Sequence, residues 1–274
     1  MTTTLRPTGP LRKSADGAKS RTYEVCVNSR PVGGIELATH PVFGPAVAQI
    51  KDLRIEEPDR RRGRGTVAAL AAEEVARGWG CRRIETIVPA AATAAHRLVT
   101  SLGYVERNRH MAKTLPAEPP VLPAGVEWRP MTEAAYEVWL ARKKDDYARD
   151  WMERGVPEAE ARAKSDRDHA DHLGQGIATP GVRLSVLTHA GTEVGALWLA
   201  VYDDPAFVFD VEVDAEHRGQ GHGRSLMLLA EAQAHEAGSS RIGLNVFAGN
   251  APALRLYQSL GYEPVTYYVY KPLL

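Results

Sequence analysis

The chain repeats itself at an offset of 158 residues, and that repeat limits what it can fold into. Arg60, Gly63 and Gly65 stand opposite Arg218, Gly221 and Gly223. Further on, Ser101-Leu102-Gly103-Tyr104 stands opposite Ser259-Leu260-Gly261-Tyr262, with the offset unchanged. Between Ala92–Tyr104 and Asn250–Tyr262, seven of thirteen positions are identical, which marks a duplicated unit rather than a shared turn. Asn250 and Tyr257 break the match, because they face Ala92 and Val99. An amide and a phenol have given way to groups that can do neither job. The chain therefore reads as one domain written twice, with only the second copy equipped for chemistry.

The length of 274 residues fits two such domains. Thirty-four basic residues balance thirty-four acidic ones, so no global field favours nucleic acid or an anionic membrane. Cys26 and Cys81 make neither a disulfide framework nor a metal-ligand spacing, and no metal is expected. The polar residues 1–20, with Pro7, Gly9, Pro10 and Gly17, read as a disordered arm rather than a signal peptide. No apolar run approaches membrane-spanning length, and a reducing cytoplasm is the default location.

Alternating segments at 23–28, 32–39 and 47–55, a helical stretch at 66–77 closed by Gly78 and Gly80, a strand at 83–88, a helix at 93–102 and a strand at 104–114 give βββαβαβ for residues 21–115. Pro116, Pro119, Pro120 and Pro123 make 116–124 a stiff linker. The second copy, 125–274, opens with a strand at 126–131, a helix from Thr132 and another over 157–173, and then resumes the shared pattern. The fold class is α/β, of the mixed α+β kind. It comprises two tandem domains, each a mostly antiparallel mixed sheet flanked by helices, and the first copy lacks the initial strand and two helices.

Phe207–Asp214 reads as a strand that runs into Arg218-Gly219-Gln220-Gly221-His222-Gly223-Arg224-Ser225 and then a helix. Glycines at a strand-to-helix turn let backbone N–H groups converge, and the helix dipole behind them favours an anion such as a pyrophosphate. A tight turn with glycines for geometry alone is the other reading.

Arg218-x-x-Gly221-x-Gly223 at the start of a helix after the fourth strand, followed by Asn250-Ala251 and then Leu256-Tyr257 with Gly261-Tyr262, resembles the GNAT superfamily of acetyltransferases. The resemblance covers 126–274 in full and 23–115 in reduced form. It implies acetyl-CoA as donor, with the fourth and fifth strands splayed around its pantetheine arm. Backbone groups of Val211 and Val213 would pair with that arm. The turn from Arg218 through Gly219, Gln220, Gly221, His222, Gly223 and Arg224 to Ser225 would hold the pyrophosphate. Asn250 would bond the cofactor, and Tyr257 would stand by the sulfur as the proton donor to the leaving thiolate.

The base is expected among Asp210 and Glu212, which share one face of the fourth strand. Glu212 faces Arg54 in the first copy whereas Asp210 faces Asp52, so Glu212 is taken as the catalytic carboxylate and Asp210 as structural or substrate-binding; a Glu212 paired to a neighbouring basic side chain, with a water relay as base, is the other reading. The helices unique to the second copy carry Tyr147, Trp151, Asp145, Asp146, Asp166, Asp168, His169 and His172, an acidic and aromatic rim suited to a cationic amine; a solvated charged face, with the histidines on the surface, is the plainer reading. The expected activity is acetyl transfer to a primary amine of a small molecule. Acetylation of a protein lysine or N-terminus and a non-catalytic CoA-binding module are the alternatives, and a homodimer is left open. Arg60 to Gly65 keeps the anion-loop pattern, and the first copy is expected to brace the second rather than turn over.

Overall fold

The structure, a computed structural model, describes residues 2–201 and 204–273. In the first half the strands are β1 Thr3–Pro7, β2 Arg12–Lys13, β3 Lys19–Val27, β4 Arg30–His40 and β5 Gly44–Ile55. Helix α1 Arg64–Gly78, strand β6 Arg83–Pro89, helix α2 Thr93–Ser101 and strand β7 Val105–Thr114 complete it. After an irregular stretch come β8 Val126–Pro130, α3 Glu133–Glu153, α4 Glu158–His172, β9 Val182–His189, β10 Thr192–Ala200 and β11 Ala206–Val213. Helix α5 His222–Glu236, strand β12 Arg241–Phe247, helix α6 Ala251–Ser259 and strand β13 Glu263–Pro272 end the chain. Among the described residues no helix is long and apolar enough to cross a membrane.

Local sequence accounts for these boundaries. Thr132 caps α3 by accepting the Ala135 N–H, with Glu133 in the first turn where the helix dipole favours it. Asn250 caps α6 in the same way through Ala253 N–H, with Pro252 inside the first turn. Helices α1 and α5 start on Gly63 and Gly221, both in the left-handed region that glycine reaches without a Cβ penalty.

Two readings of the amino-terminal segment need correction. Residues 3–7 are not disordered; they pair antiparallel with β3 from Thr3↔Val27 to Pro7↔Tyr23. The first copy therefore has an initial strand after all, and lacks only the two helices. The alternation was hidden because Leu5 is the only apolar side chain in β1. What recruits the segment is the unpaired backbone of β3, whose N–H and C=O groups need partners.

The compact units do not follow the repeat boundaries either. One comprises 1–109 with 265–274, the other 110–264. The first has the strand order β1-β3-β4-β5-β6-β13, with β2 on β3. The second has β7-β12-β11-β10-β9-β8. Most of β13 therefore completes the first unit, pairing antiparallel with β6 from Thr266↔Pro89 to Pro272↔Arg83. The end of β7 lies beside β12 in the second. Each unit takes its closing strand from the other half of the sequence.

A matching lock fastens each exchanged strand. In the first unit Lys271 Nζ sits 3.0 and 2.7 Å from the carboxylate oxygens of Glu73, beside the Tyr104 ring. In the second Lys113 Nζ sits 3.0 and 2.9 Å from those of Glu231, beside Tyr262. All three positions keep the offset of 158, so the exchange is part of the repeat itself.

The second unit packs Leu197 and Leu199 of β10, Leu226, Met227 and Leu229 of α5, and Ile242 and Leu244 of β12 into one core. A smaller aromatic core holds Tyr136, Trp139 and Trp198 under α3 and α4. The first unit has Ile35, Leu37, Ala72, Ala76 and Ile84 in the corresponding place.

Candidate active site

Strand β11 carries the site, and its pairing explains why. It runs parallel to β12 only from Ala206↔Ile242 to Val208↔Leu244, then continues to Val213 without that partner. A β-bulge falls where the two part: Val208 pairs with Leu199 of β10 and Asp210 with Trp198, so Phe209 is extra. The first unit does the same, with β5 and β6 paired only from Val47↔Arg83 to Ile50↔Thr86 and Lys51 extra.

Alternation along β11 decides which backbone groups face the opening. Asp214 donates its N–H to Val194 O of β10, so Glu212 faces β10 as well, and Val211 and Val213 face away from it. Val213 O accepts a bond from Arg218 Nε at 3.2 Å. The equivalent bond in the first unit, Arg60 Nε to Ile55 O, is 2.8 Å.

The turn into α5 holds Gly219 at φ +77° and Gly221 at φ +89°. The N–H groups from Gly219 through Gly223 make no hydrogen bond among the described residues, which leaves a concave set of donors at the head of a helix. The side chains of the turn serve other ends. His222 and Ser225 are buried, Gln220 bonds Glu216 O, and Arg224 reaches the Ser259 hydroxyl. His222 packs against His189 and His217, and burial first, then those two rings, lowers its pKa.

Tyr257 lies on α6 and packs against the core beside Tyr262, with ring centroids 6.1 Å apart. Burial, and then the charge of Asp210, pushes its phenol up to about 12. Asn250 uses its side-chain oxygen as the α6 cap, so the amide nitrogen is what it can offer a ligand.

Asp210 and Glu212 meet two cations from α3 that sequence reasoning missed. Lys143 Nζ stands 2.9 Å from Asp210 Oδ2, 3.1 Å from its Oδ1 and 2.9 Å from Glu212 Oε2. Arg142 adds a bond of 2.9 Å to the same Glu212 Oε2. The signal for them was the basic run Arg142-Lys143-Lys144 in the second-copy helix, unremarkable until folding set it over β11.

The acidic rim is largely neutralised. Asp145 pairs with Arg162, Asp146 with Arg149, Asp166 with Lys144 and Asp168 with Lys164. Tyr147 donates its hydroxyl to Asp168 at 2.8 Å, and Trp151 is buried edge-on against Phe247. His169 is not a surface residue: it is buried, with Nδ1 2.8 Å from Ser165 O. His172 lies tilted against Phe209, with ring centroids 4.3 Å apart. No group of three or more metal-ligating side chains occurs among the described residues.

The acetyltransferase (GNAT) family model matches the chain twice, over residues 4–104 and 142–262. A mycothiol acetyltransferase of Thermomonospora curvata is 31% identical over 210 residues, spanning 74% of this chain and 66% of that protein. The mycothiol acetyltransferase of Thermobispora bispora is 30% identical over 260 residues, spanning 90% of this chain and 78% of its own length. Among solved structures, a GCN5-related N-acetyltransferase from Sphaerobacter thermophilus has a TM-score of 0.59 at 17% identity, covering 92% of this chain and 80% of that one, a likeness of fold. With the family domain present in each half, the chain belongs to the acetyltransferase (GNAT) family and is a tandem-domain N-acetyltransferase.

Proposed function

We propose that the second unit transfers acetyl from acetyl-CoA to a primary amine of a small molecule, by direct attack of the amine. The observation that carries this reading is the opening of β11 away from β12 beyond Val208, with Tyr257 and a pair of carboxylates on its walls. The donor supplies a thioester with a good leaving group, and everything else falls to the protein. Val211 and Val213 offer the strand backbone to an extended arm, in the manner of an added strand. The N–H groups of Gly219 through Gly223 hold the pyrophosphate. An alkyl ammonium, with a pKa near 10.4, must be deprotonated before it can attack. A carboxylate of β11, Glu212 or Asp210, takes that proton, and Tyr257 returns one to the sulfur.

Two things favour a small acceptor over a protein: helices α3 and α4 meet β11 through Lys143 on Asp210 and His172 on Phe209, and the two mycothiol acetyltransferases above span 74% and 90% of the chain. In this reading the enzyme works in the cytoplasm, and the first unit, with Val99 in place of the phenol, does not turn over. The test is a calorimetric titration with acetyl-CoA followed by thiol release against glucosamine, tyramine, spermidine, a lysine peptide and an alanine-initiated peptide. Release with at least one of the three small amines is expected. Release with peptides alone would make it a protein acetyltransferase, and binding without any release a CoA-responsive module.

A further inference from the structure

The carboxylates of β11 are not equivalent, and the difference identifies the proton acceptor. Glu212 Oε2 is engaged by both Arg142 and Lys143. Asp210 meets Lys143 alone, whose Nζ lies 3.1 Å from Oδ1 and 2.9 Å from the buried Oδ2. Asp210 is also the first residue after the bulge where β11 leaves β12, and the carboxylate whose charge reaches the Tyr257 phenol.

The first copy removes the structural explanation. Asp52 occupies the same repeat position, yet it is exposed and has no ion pair among the described residues. The aspartate is therefore not kept to hold the sheet together. What the second unit adds is α3, which brings Lys143 over it.

We infer that Asp210, rather than Glu212, is the base of the acetyl transfer, and that Lys143 is the positioning residue that holds it ionised. This rests on the acetyltransferase reading above. The Asp210 carboxylate takes one proton from the acceptor ammonium and passes it to solvent. The amine nitrogen then bonds the carbonyl carbon as the carbon–sulfur bond breaks, and Tyr257 gives its phenolic proton to the departing thiolate. The second proton shed by the nitrogen reprotonates the phenolate, so the products are amide, thiol and one released proton.

The charged and titratable groups around Asp210 are Lys143 and Arg142 of α3, Glu212 of β11 and Tyr257 of α6. Burial raises the Asp210 carboxyl most; Lys143 pulls it down, Glu212 pushes it up and Arg142 lowers it again, and the net shift is upward from the ordinary carboxylate range. Activity should therefore fall as pH drops through the Asp210 titration. Removing the lysine charge should move that limb upward by about 1–3 pH units, the effect of one close opposite charge.

The experiment records kcat/KM against pH, with whichever of glucosamine, tyramine or spermidine the wild type acetylates, for wild type, Asp210→Asn, Glu212→Gln, Lys143→Gln and Lys143→Arg. Carboxyl-carbon NMR of the same proteins reads the Asp210 titration directly, and near-ultraviolet circular dichroism checks folding. Expected are a loss of about 10²–10⁴ in kcat for Asp210→Asn, a much smaller loss for Glu212→Gln, an upward-shifted limb for Lys143→Gln and its return in Lys143→Arg. Loss in Glu212→Gln with Asp210→Asn active, or a folded Lys143→Gln with an unmoved limb and carboxyl titration, overturns the inference. A wild type that acetylates no amine overturns the functional reading itself.

Discussion

Tyr257→Phe is expected to lower kcat by about 10²–10⁴ while leaving acetyl-CoA affinity unchanged. The expectation follows from what the ring does and does not touch. Its body packs against the core of the second unit, and phenylalanine keeps that packing, so the fold and the glycine turn are untouched. What is lost is one hydroxyl, held protonated by burial and by Asp210 well past neutral pH. A raised phenol cannot serve as a base near pH 7, but it is fully available as an acid, the role a departing thiolate requires. Because its titration lies near 12, Tyr257 should impose no basic limb on the wild-type pH profile below about 10. Steady-state kcat on the acetylated panel amine, with calorimetric titration of the donor alongside, separates the two effects. Unchanged turnover would remove the phenol from the reaction.

The largest stability effect is expected at the locks on the exchanged strands. Lys113→Met leaves Glu231, 1% exposed, as a buried carboxylate without its cation. Removing one member of such a pair costs about 3–5 kcal/mol, because the remaining charge stays desolvated. Lys271→Met should cost less, because Glu73 in the first unit, also 1% exposed, keeps Arg77 at 4.0 Å. The methionine keeps the length and the apolar stem, so any loss reports the charge. Chemical denaturation of the two variants should show midpoints well below wild type. The double variants Lys113→Met/Glu231→Gln and Lys271→Met/Glu73→Gln should recover part of the loss, since no buried charge is then stranded. Singles as stable as wild type would mean that the locks contribute nothing.

Much of the architecture was legible because the repeat carries it. The helix ends at Gly80 and Gly261, the anion turn at Arg218 and the contrast between Tyr257 and Val99 are all local signals. The strand at 3–7 was not legible, because one leucine cannot make an alternating pattern and its recruitment depends on the open backbone of β3. The exchange of β7 and β13 left no periodic mark; Glu73 and Glu231, and Lys113 and Lys271, repeat at the offset, but nothing local tells which lysine meets which glutamate.

The site followed the same division. The main-chain donors could be placed from the glycines alone. The partners of the carboxylates could not, because Arg142 and Lys143 lie about seventy residues from β11 and read as an ordinary basic helix face. For the same reason the aspartates of α3 and α4 looked like an acidic rim until their cations appeared beside them.

The central claim is that the second unit grips the donor through the main chain of its glycine turn, and the matched pair Gly221→Glu and Gly63→Glu tests it most directly. The two positions are equivalent in the repeat, both lie at positive φ, and neither has an atom within 4 Å of the added Cβ, so folding is perturbed alike and a negative charge is placed at one donor set or the other. Acetyl-CoA-dependent thiol release should be lost in Gly221→Glu and largely retained in Gly63→Glu. The reverse pattern would place the chemistry in the other half of the chain.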